Sequence, residues 1–496
     1  MTVLSRRSLI AGSAALLALP GRAEAAQSRV LQDLRAILDG AAADRSGALD
    51  ALSRFDAATL PLPQRLDLET ARAGLIIDLA LARRFPFGRA GRSPYLVTPS
   101  SGAWMKADAS PESIRRETQA LAADAGRGVR LPAEIAERTI AAIEAAQRAA
   151  QGARAAALAE QIATLRALAA DAPPIGVSHL PGGSDYFVLL LRRTTGDDVI
   201  PARLQQRLER EQARVLARAD RLFARIGLHQ GSVGERYTLL WQDPRWLYAD
   251  SDAGRDEAVA DMNRTLAAIV PQLSRWFAAL PPGVLQVQAA RMPPQEAAAG
   301  KQGYRILPDQ DRPGRYVVDL KDIRRRPRWT LPAVVHHELL PGHMVQLPLE
   351  ARAAPHPLRL DYAQAFVEGW AIYTEHLAAA AGAYRDDPHG ALGYCHWRLF
   401  RIERALADLN IHLHGWTLDM ALAHWRETMG EPAYFAPFAI DLERIALEPA
   451  TRAAEAAAWL AIEDLSSGRS PSPFHQALLG YGRARTDLLA SLIQRA

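Results

Sequence analysis

The run Val335-His336-His337-Glu338-Leu339-Leu340-Pro341-Gly342-His343 concentrates three imidazoles and a carboxylate in one short stretch. Helical zinc hydrolases place two histidines four residues apart, with a glutamate directly after the first. That spacing puts both rings on one helix face and the carboxylate beside the water that the metal activates. Here His337 and His343 are six residues apart. On an unbroken helix that is a turn of about 600°, which sends the rings to different faces. His336 and His343 share a face, but their seven steps rise roughly 10 Å, too far for two metal–nitrogen bonds of about 2.0–2.1 Å. Pro341-Gly342 offers a way out. Proline cannot donate the helical backbone bond and glycine accepts unusual φ/ψ, so the helix is expected to bulge or stop there. With those two residues taken out of the helical count, the remainder reads His-Glu-Leu-Leu-His, the zinc-peptidase spacing. The competing use of the same residues is a helix end capped by histidines.

Two histidines need a third ligand. Phe366-Val367-Glu368-Gly369-Trp370-Ala371-Ile372-Tyr373-Thr374-Glu375-His376 reads as a helix with Glu368 and Glu375 on one face. They lie roughly 10 Å apart along the axis, so only one can touch the metal. An acid in an apolar, aromatic helix is costly unless it is paired or binds a cation. Glu368, set among Phe366, Val367 and Trp370, is the expected ligand. Its alternative use is a salt bridge to a neighbouring arginine.

These residues must be positioned by helices. Residues 28–84, 111–125, 132–171 and 201–226 are rich in Ala, Leu, Arg and Glu, with apolar residues at three- and four-residue steps. Turn-rich breaks fall at 85–110, 172–185, 228–236 and 293–315. Val284 to Met292 and Arg315 to Leu320 alternate or carry β-branched residues, so a small sheet is expected beside the metal-site helix. After residue 330 the chain returns to helices, broken at 341–342, 354–358, 385–391, 429–436 and 467–473. The expected fold is mostly α, a large multi-helix body with a small β-sheet or hairpin. Its N-terminal helical region, 26–227, packs as one body with a metal-site region, 228–496.

Composition removes several function classes. At 496 residues and 49% hydrophobic the chain can bury a large core, which excludes intrinsic disorder. Its net charge is only +4, with acids and bases interspersed, so no nucleic-acid footprint is expected. The single cysteine, Cys395, excludes an internal disulfide and cysteine-based zinc or iron–sulfur sites. Ser5-Arg6-Arg7-Ser8-Leu9-Ile10, the apolar run Ala11 to Leu19 and Ala23-Glu24-Ala25 together read as a twin-arginine export leader. Cleavage is expected after Ala25, releasing a periplasmic protein without stable membrane insertion. The export machinery is the partner during secretion. No cysteine follows the cleavage site, so a lipid anchor is not expected.

The chain resembles the bacterial family known as domain of unknown function 885, whose members look like zinc peptidases of the gluzincin type. The resemblance runs through Ser93-Pro94-Tyr95, Ser101-Gly102-Ala103-Trp104, Asp252-Ala253-Gly254-Arg255 and Arg312-Pro313-Gly314-Arg315-Tyr316. It continues through the His337–His343 element with Gln346, the Glu368-to-Glu375 helix, Arg404 to Asp408 with His412, and Phe474-His475. It implies a single Zn²⁺ held by His337, His343 and Glu368, with Glu338 as general base. It makes His412 the candidate to polarise the substrate carbonyl. Tyr373 and Arg404 would meet the substrate; Arg404 and Asp408 would orient His412 or form a plain ion pair. The implied reaction is cleavage of a peptide or small peptide-like amide. The alternatives are a weak or inactive peptide-binding member and a zinc hydrolase of a non-peptide amide or ester.

Three elements depart from the family pattern. Met344 stands where a second histidine is usual and Leu409-Asn410 where Thr-Gly is usual, and Pro449-Ala450-Thr451-Arg452 leads to Glu455 where a Pro-Gly-Gln element and a following tyrosine are usual. That tyrosine would be an oxyanion donor, and its loss implies a cost of about 3 kcal/mol in transition-state stabilisation. The leader is directly testable. Replacing Arg6 and Arg7 with lysine is expected to trap precursor in the cytoplasm, read by fractionation and immunoblot; normal periplasmic accumulation would refute the twin-arginine reading.

Overall fold

The computed structural model describes residues 22–196, 198–308, 312–430 and 437–495. The twin-arginine motif and the apolar run behind it lie outside the described residues. Among the described residues the molecule is mostly helical, with one three-stranded sheet. Among the described residues no helix is long and apolar enough to cross a membrane.

Two of the expected helices are composite. The 28–84 stretch is three helices, Arg22–Gly40, Arg45–Leu52 and Leu62–Arg84. The second starts because the Asp44 side chain accepts from the Gly47 backbone N–H, an N-cap that satisfies an otherwise orphaned donor. The 132–171 stretch breaks at Ala150-Gln151, both extended, into Ala133–Ala149 and Gly152–Ala169. Gly152 supplies the positive φ that this turn needs. Alanine-rich sequence hides such breaks, because Ala has high helix propensity on either side of them.

The Pro201–Arg225 helix lies along the Pro388–His414 helix, which is buried over most of its length. The chain divides into two units, Met1–Asp56 and Ala57–Ala496, and every candidate site residue lies in the second.

In that second unit the Pro388–His414 helix is the axis. Pro388 occupies its first turn and Asp387 caps Gly390, both favourable at a helix start. The Thr451–Ser466 helix packs on it and also on Ala365–Ala380. At the second contact, a Cβ on Gly369 would meet the Ala458 Cβ at 2.8 Å, so small residues set how closely these helices approach. The sheet runs β1 (Val287–Arg291), β3 (Gly314–Val318), β2 (Tyr304–Ile306), with β1–β3 parallel and β2–β3 antiparallel. Strand β2 falls inside 293–315, where the sequence reads as turn. It is only three residues long, shorter than any alternation that could betray a strand.

Candidate metal centre

The Leu331–Glu338 helix stops where the sequence requires. Leu339 takes φ −105°, ψ −109°, Gly342 takes φ −72°, ψ −130°, and a new helix begins at His343. A Cβ at position 342 would lie 1.9 Å from the His337 carbonyl oxygen, so only glycine lets the chain pass. The loop is then tied from one side. The Trp370 indole N–H donates to the carbonyls of Pro341 and Gly342, each at 3.2 Å, and the Thr374 hydroxyl donates to the His336 carbonyl at 3.0 Å. Both donors belong to the Ala365–Ala380 helix, which also carries Glu368.

The result brings His337, His343 and Glu368 together, with one ligand atom from each lying within 4.8 Å of the others. His337 Nε2 is 3.4 Å from Glu368 Oε2, and His343 Nε2 is 3.5 Å from Glu368 Oε1. Tetrahedral zinc with bonds of about 2.0–2.1 Å needs ligand atoms roughly 3.3–3.4 Å apart, so these spacings match a shared cation. His343 is fully buried, yet neither of its ring nitrogens has a hydrogen-bond partner. Buried polar atoms are rarely left so, and an ion shared with Glu368 would satisfy Nε2, the nitrogen that faces it. The residues present fit the ion.

Glu375 serves a different purpose from Glu368. Its Oε1 accepts from His337 Nδ1 at 2.7 Å, deep in the core. With Nδ1 committed to Glu375, Nε2 is the nitrogen that faces Glu368 and would bind the ion. Burial and Arg401 both push the His337 pKa down, but hydrogen bonds to Glu368 and Glu375 outweigh them and raise it to about 8. For His343 the single Glu368 carboxylate does not compensate, and burial, reinforced by Arg305, lowers it to about 4. Burial works against the Glu368 carboxylate, yet the two imidazoles that face it hold it well below its ordinary range.

Glu338 is the last residue of its helix and lines the same 290 Å³ cavity as His337 and Glu368. Arg305 Nε donates to its Oε2 at 2.6 Å. Burial alone would raise the Glu338 pKa, but Arg305 and the two histidines hold it below the usual carboxylate value. Sequence reasoning missed Arg305, which lies on the unread strand β2. It also missed Arg401, whose guanidinium stands 3.4 Å from both ring nitrogens of His337.

The structure does not bring His412 to this group. It accepts from the Val177 backbone N–H at Nδ1 (3.2 Å) and donates to the Ile445 carbonyl from Nε2 (3.0 Å). Both nitrogens are committed to backbone in a fully buried position, which leaves no atom for a substrate carbonyl. Arg404 does line the cavity, but its ion pair is with Asp441 (Nε–Oδ2 2.8 Å). Asp408 instead accepts from the backbone N–H groups of Ala450 and Ala453, each at 2.9 Å, so the expected Arg404–Asp408 pair does not form. Tyr373 points elsewhere, its hydroxyl 2.9 Å from His475 Nε2. Met344 is packed in the core. Glu455 pairs with Arg452, a cavity residue, so the departure at 455 is accommodated as an ion pair.

The family described as "Bacterial protein of unknown function (DUF885)" matches residues 18–493. The chain belongs to this family. No curated protein matches it significantly in sequence. Two solved structures share the fold of this DUF885 member. A "putative lipoprotein" from Colwellia psychrerythraea aligns with TM-score 0.76 at 20% identity, over 95% of this chain and 90% of that one. A second "putative lipoprotein", of unknown function, from Shewanella oneidensis aligns with TM-score 0.68 at 18% identity, over 96% and 94% of the two chains.

The triad makes a metal prediction. Purified protein is expected to carry about one zinc per chain, measured by plasma mass spectrometry. His337→Ala and Glu368→Gln should lose most of it, and Glu375→Gln should weaken affinity about 10–100-fold. Full zinc in Glu368→Gln with loss in Glu375→Gln would reverse the two assignments.

Proposed function

We propose that this chain is a zinc-dependent hydrolase that cleaves a peptide or peptide-like amide bond, using Glu338 as general base. The observation that carries the reading is that His337, Glu338 and Glu368 line one cavity while Arg305 keeps Glu338 ionised. Bound at His337, His343 and Glu368, zinc would act as a Lewis acid on the scissile carbonyl and lower the pKa of a water molecule. The chain's own residues do the rest. Glu375 fixes the His337 tautomer, Arg305 orients the Glu338 carboxylate, and Glu338 takes a proton from water and returns it to the leaving amine. Export to the periplasm is part of the same proposal. It is supported by the leader sequence and by the description of both structural relatives as lipoproteins.

One observation favours the binding-protein alternative: a carboxylate clamped this closely by Arg305 is a weaker base than a free one. Two variants decide. Glu338→Gln keeps size and shape but removes the base, so hydrolysis of a working peptide substrate should fall by at least about a hundredfold with zinc content unchanged. Retained turnover would sink the mechanism. Arg305→Gln removes the positive charge that depresses the Glu338 pKa. The acid limb of the kcat/KM profile, where the base gains its proton, should therefore move to higher pH; an unmoved limb would mean that Glu338 is not the group titrating.

A further inference from the structure

The cavity beside the triad is unusually cationic. Six arginines line it, Arg305, Arg326, Arg401, Arg404, Arg444 and Arg452, against three acids, Asp319, Glu338 and Glu368. Three of the six are already used. Arg305 holds Glu338, Arg404 pairs with Asp441, and Arg452 pairs with Glu455 and Glu448.

Arg326 and Arg444 are not, and Arg401 is only weakly engaged, one guanidinium nitrogen lying 3.4 Å from both ring nitrogens of His337. Among the described residues, neither Arg326 nor Arg444 has a carboxylate within ion-pair distance. The nearest acid to Arg401 is Glu375 at 3.8 Å, and that carboxylate already binds His337 Nδ1 at 2.7 Å. The Arg401 side chain is only 9% exposed and Arg326 only 8%, and Arg401 Nε has no hydrogen-bond partner. A buried guanidinium without a counter-charge is costly, and guanidinium is the group best shaped to bind carboxylate in a two-pronged contact. The three come from separate elements: Arg326 after the Ile323–Arg325 turn, Arg401 on the Pro388–His414 helix, and Arg444 on Phe438–Leu447. The competing explanation for Arg444 is a cation placed at the last turn of its helix, where the dipole favours it. That explanation does not reach Arg326, which is in no helix of that length, or Arg401, which is mid-helix.

We propose that Arg326, Arg401 and Arg444 form a carboxylate-recognition site next to the metal triad, making this protein selective for acidic peptides. The proposal rests on the hydrolase reading for the identity of the ligand as a peptide, but its content is the charge of what binds. The carboxylate has two sources, an acidic side chain or a free C terminus.

The test uses the full-length mature protein loaded with zinc and four probes: Ala-Ala-Glu-Ala-Ala and Ala-Ala-Gln-Ala-Ala, each with a free or an amidated C terminus. Binding is measured by calorimetry to Glu338→Gln, and cleavage by mass spectrometry with the parent. Carboxylate-bearing probes should bind at least about tenfold more tightly than the amidated Gln peptide, with a preference that shrinks as salt rises. Glu against Gln at a blocked terminus reports the side chain, and free against amidated Gln reports the terminus. Arg326→Gln and Arg444→Gln should bring the acidic probes down to the neutral one, while Arg444→Lys keeps part of the preference. Melting temperature and zinc content serve as checks that each variant is folded. Equal binding of all four probes by the parent scaffold, or no binding of any, overturns the proposal. Charge-selective binding without cleavage upholds it and removes the hydrolase reading, whereas equal cleavage of all four does the reverse.

Discussion

The centre depends on how the chain is folded back between Glu338 and His343. Without that reversal the two histidines face apart, and no acid elsewhere could complete a site. The reversal is held by the Trp370 indole N–H, shared between the carbonyls of Pro341 and Gly342. Those carbonyls are buried, and a buried acceptor left unsatisfied costs about 1–3 kcal/mol. The same helix presents Glu368 two residues earlier in the chain. Loop closure and ligand placement are therefore one packing event, and Gly369 against Ala458 sets its depth.

A second constraint is electrostatic. Glu338, Glu368 and Glu375 are concentrated in a small, half-buried volume, where charges interact more strongly than in bulk water. Each has a partner: Arg305 for Glu338, the two rings for Glu368, and His337 Nδ1 for Glu375. His337 lies between two carboxylates, and His343 meets only one. That difference explains why the pKa values of two neighbouring imidazoles move in opposite directions.

Much of this was legible in the residues. The proline–glycine break and the choice between Glu368 and Glu375 follow from helix geometry, because six and seven steps have fixed rotations and rises. What the sequence hid were contacts made by distant elements. Arg305 sits on a three-residue strand with no periodicity to read. Arg401 is one arginine among several on a long helix, and only the packing shows which of them faces His337. His412 misled for a related reason: a histidine near acids and arginines looks functional until its backbone partners, Val177 and Ile445, are known. The same holds for Asp408, whose true partners are amide groups about forty residues away. The hidden breaks at Asp44 and Ala150 are smaller instances, since they depend on a cap and on one glycine.

The triad spans only the segment from His337 to Glu368, and the helices around it are already joined by Trp370, Thr374 and a core that runs from Leu66 to Leu492. A cation here would close a short loop that the fold has already closed, so it would remove little further freedom from the unfolded chain. Metal and scaffold are in that sense uncoupled. An ion bound at these three residues could therefore be removed by a chelator with the fold left standing.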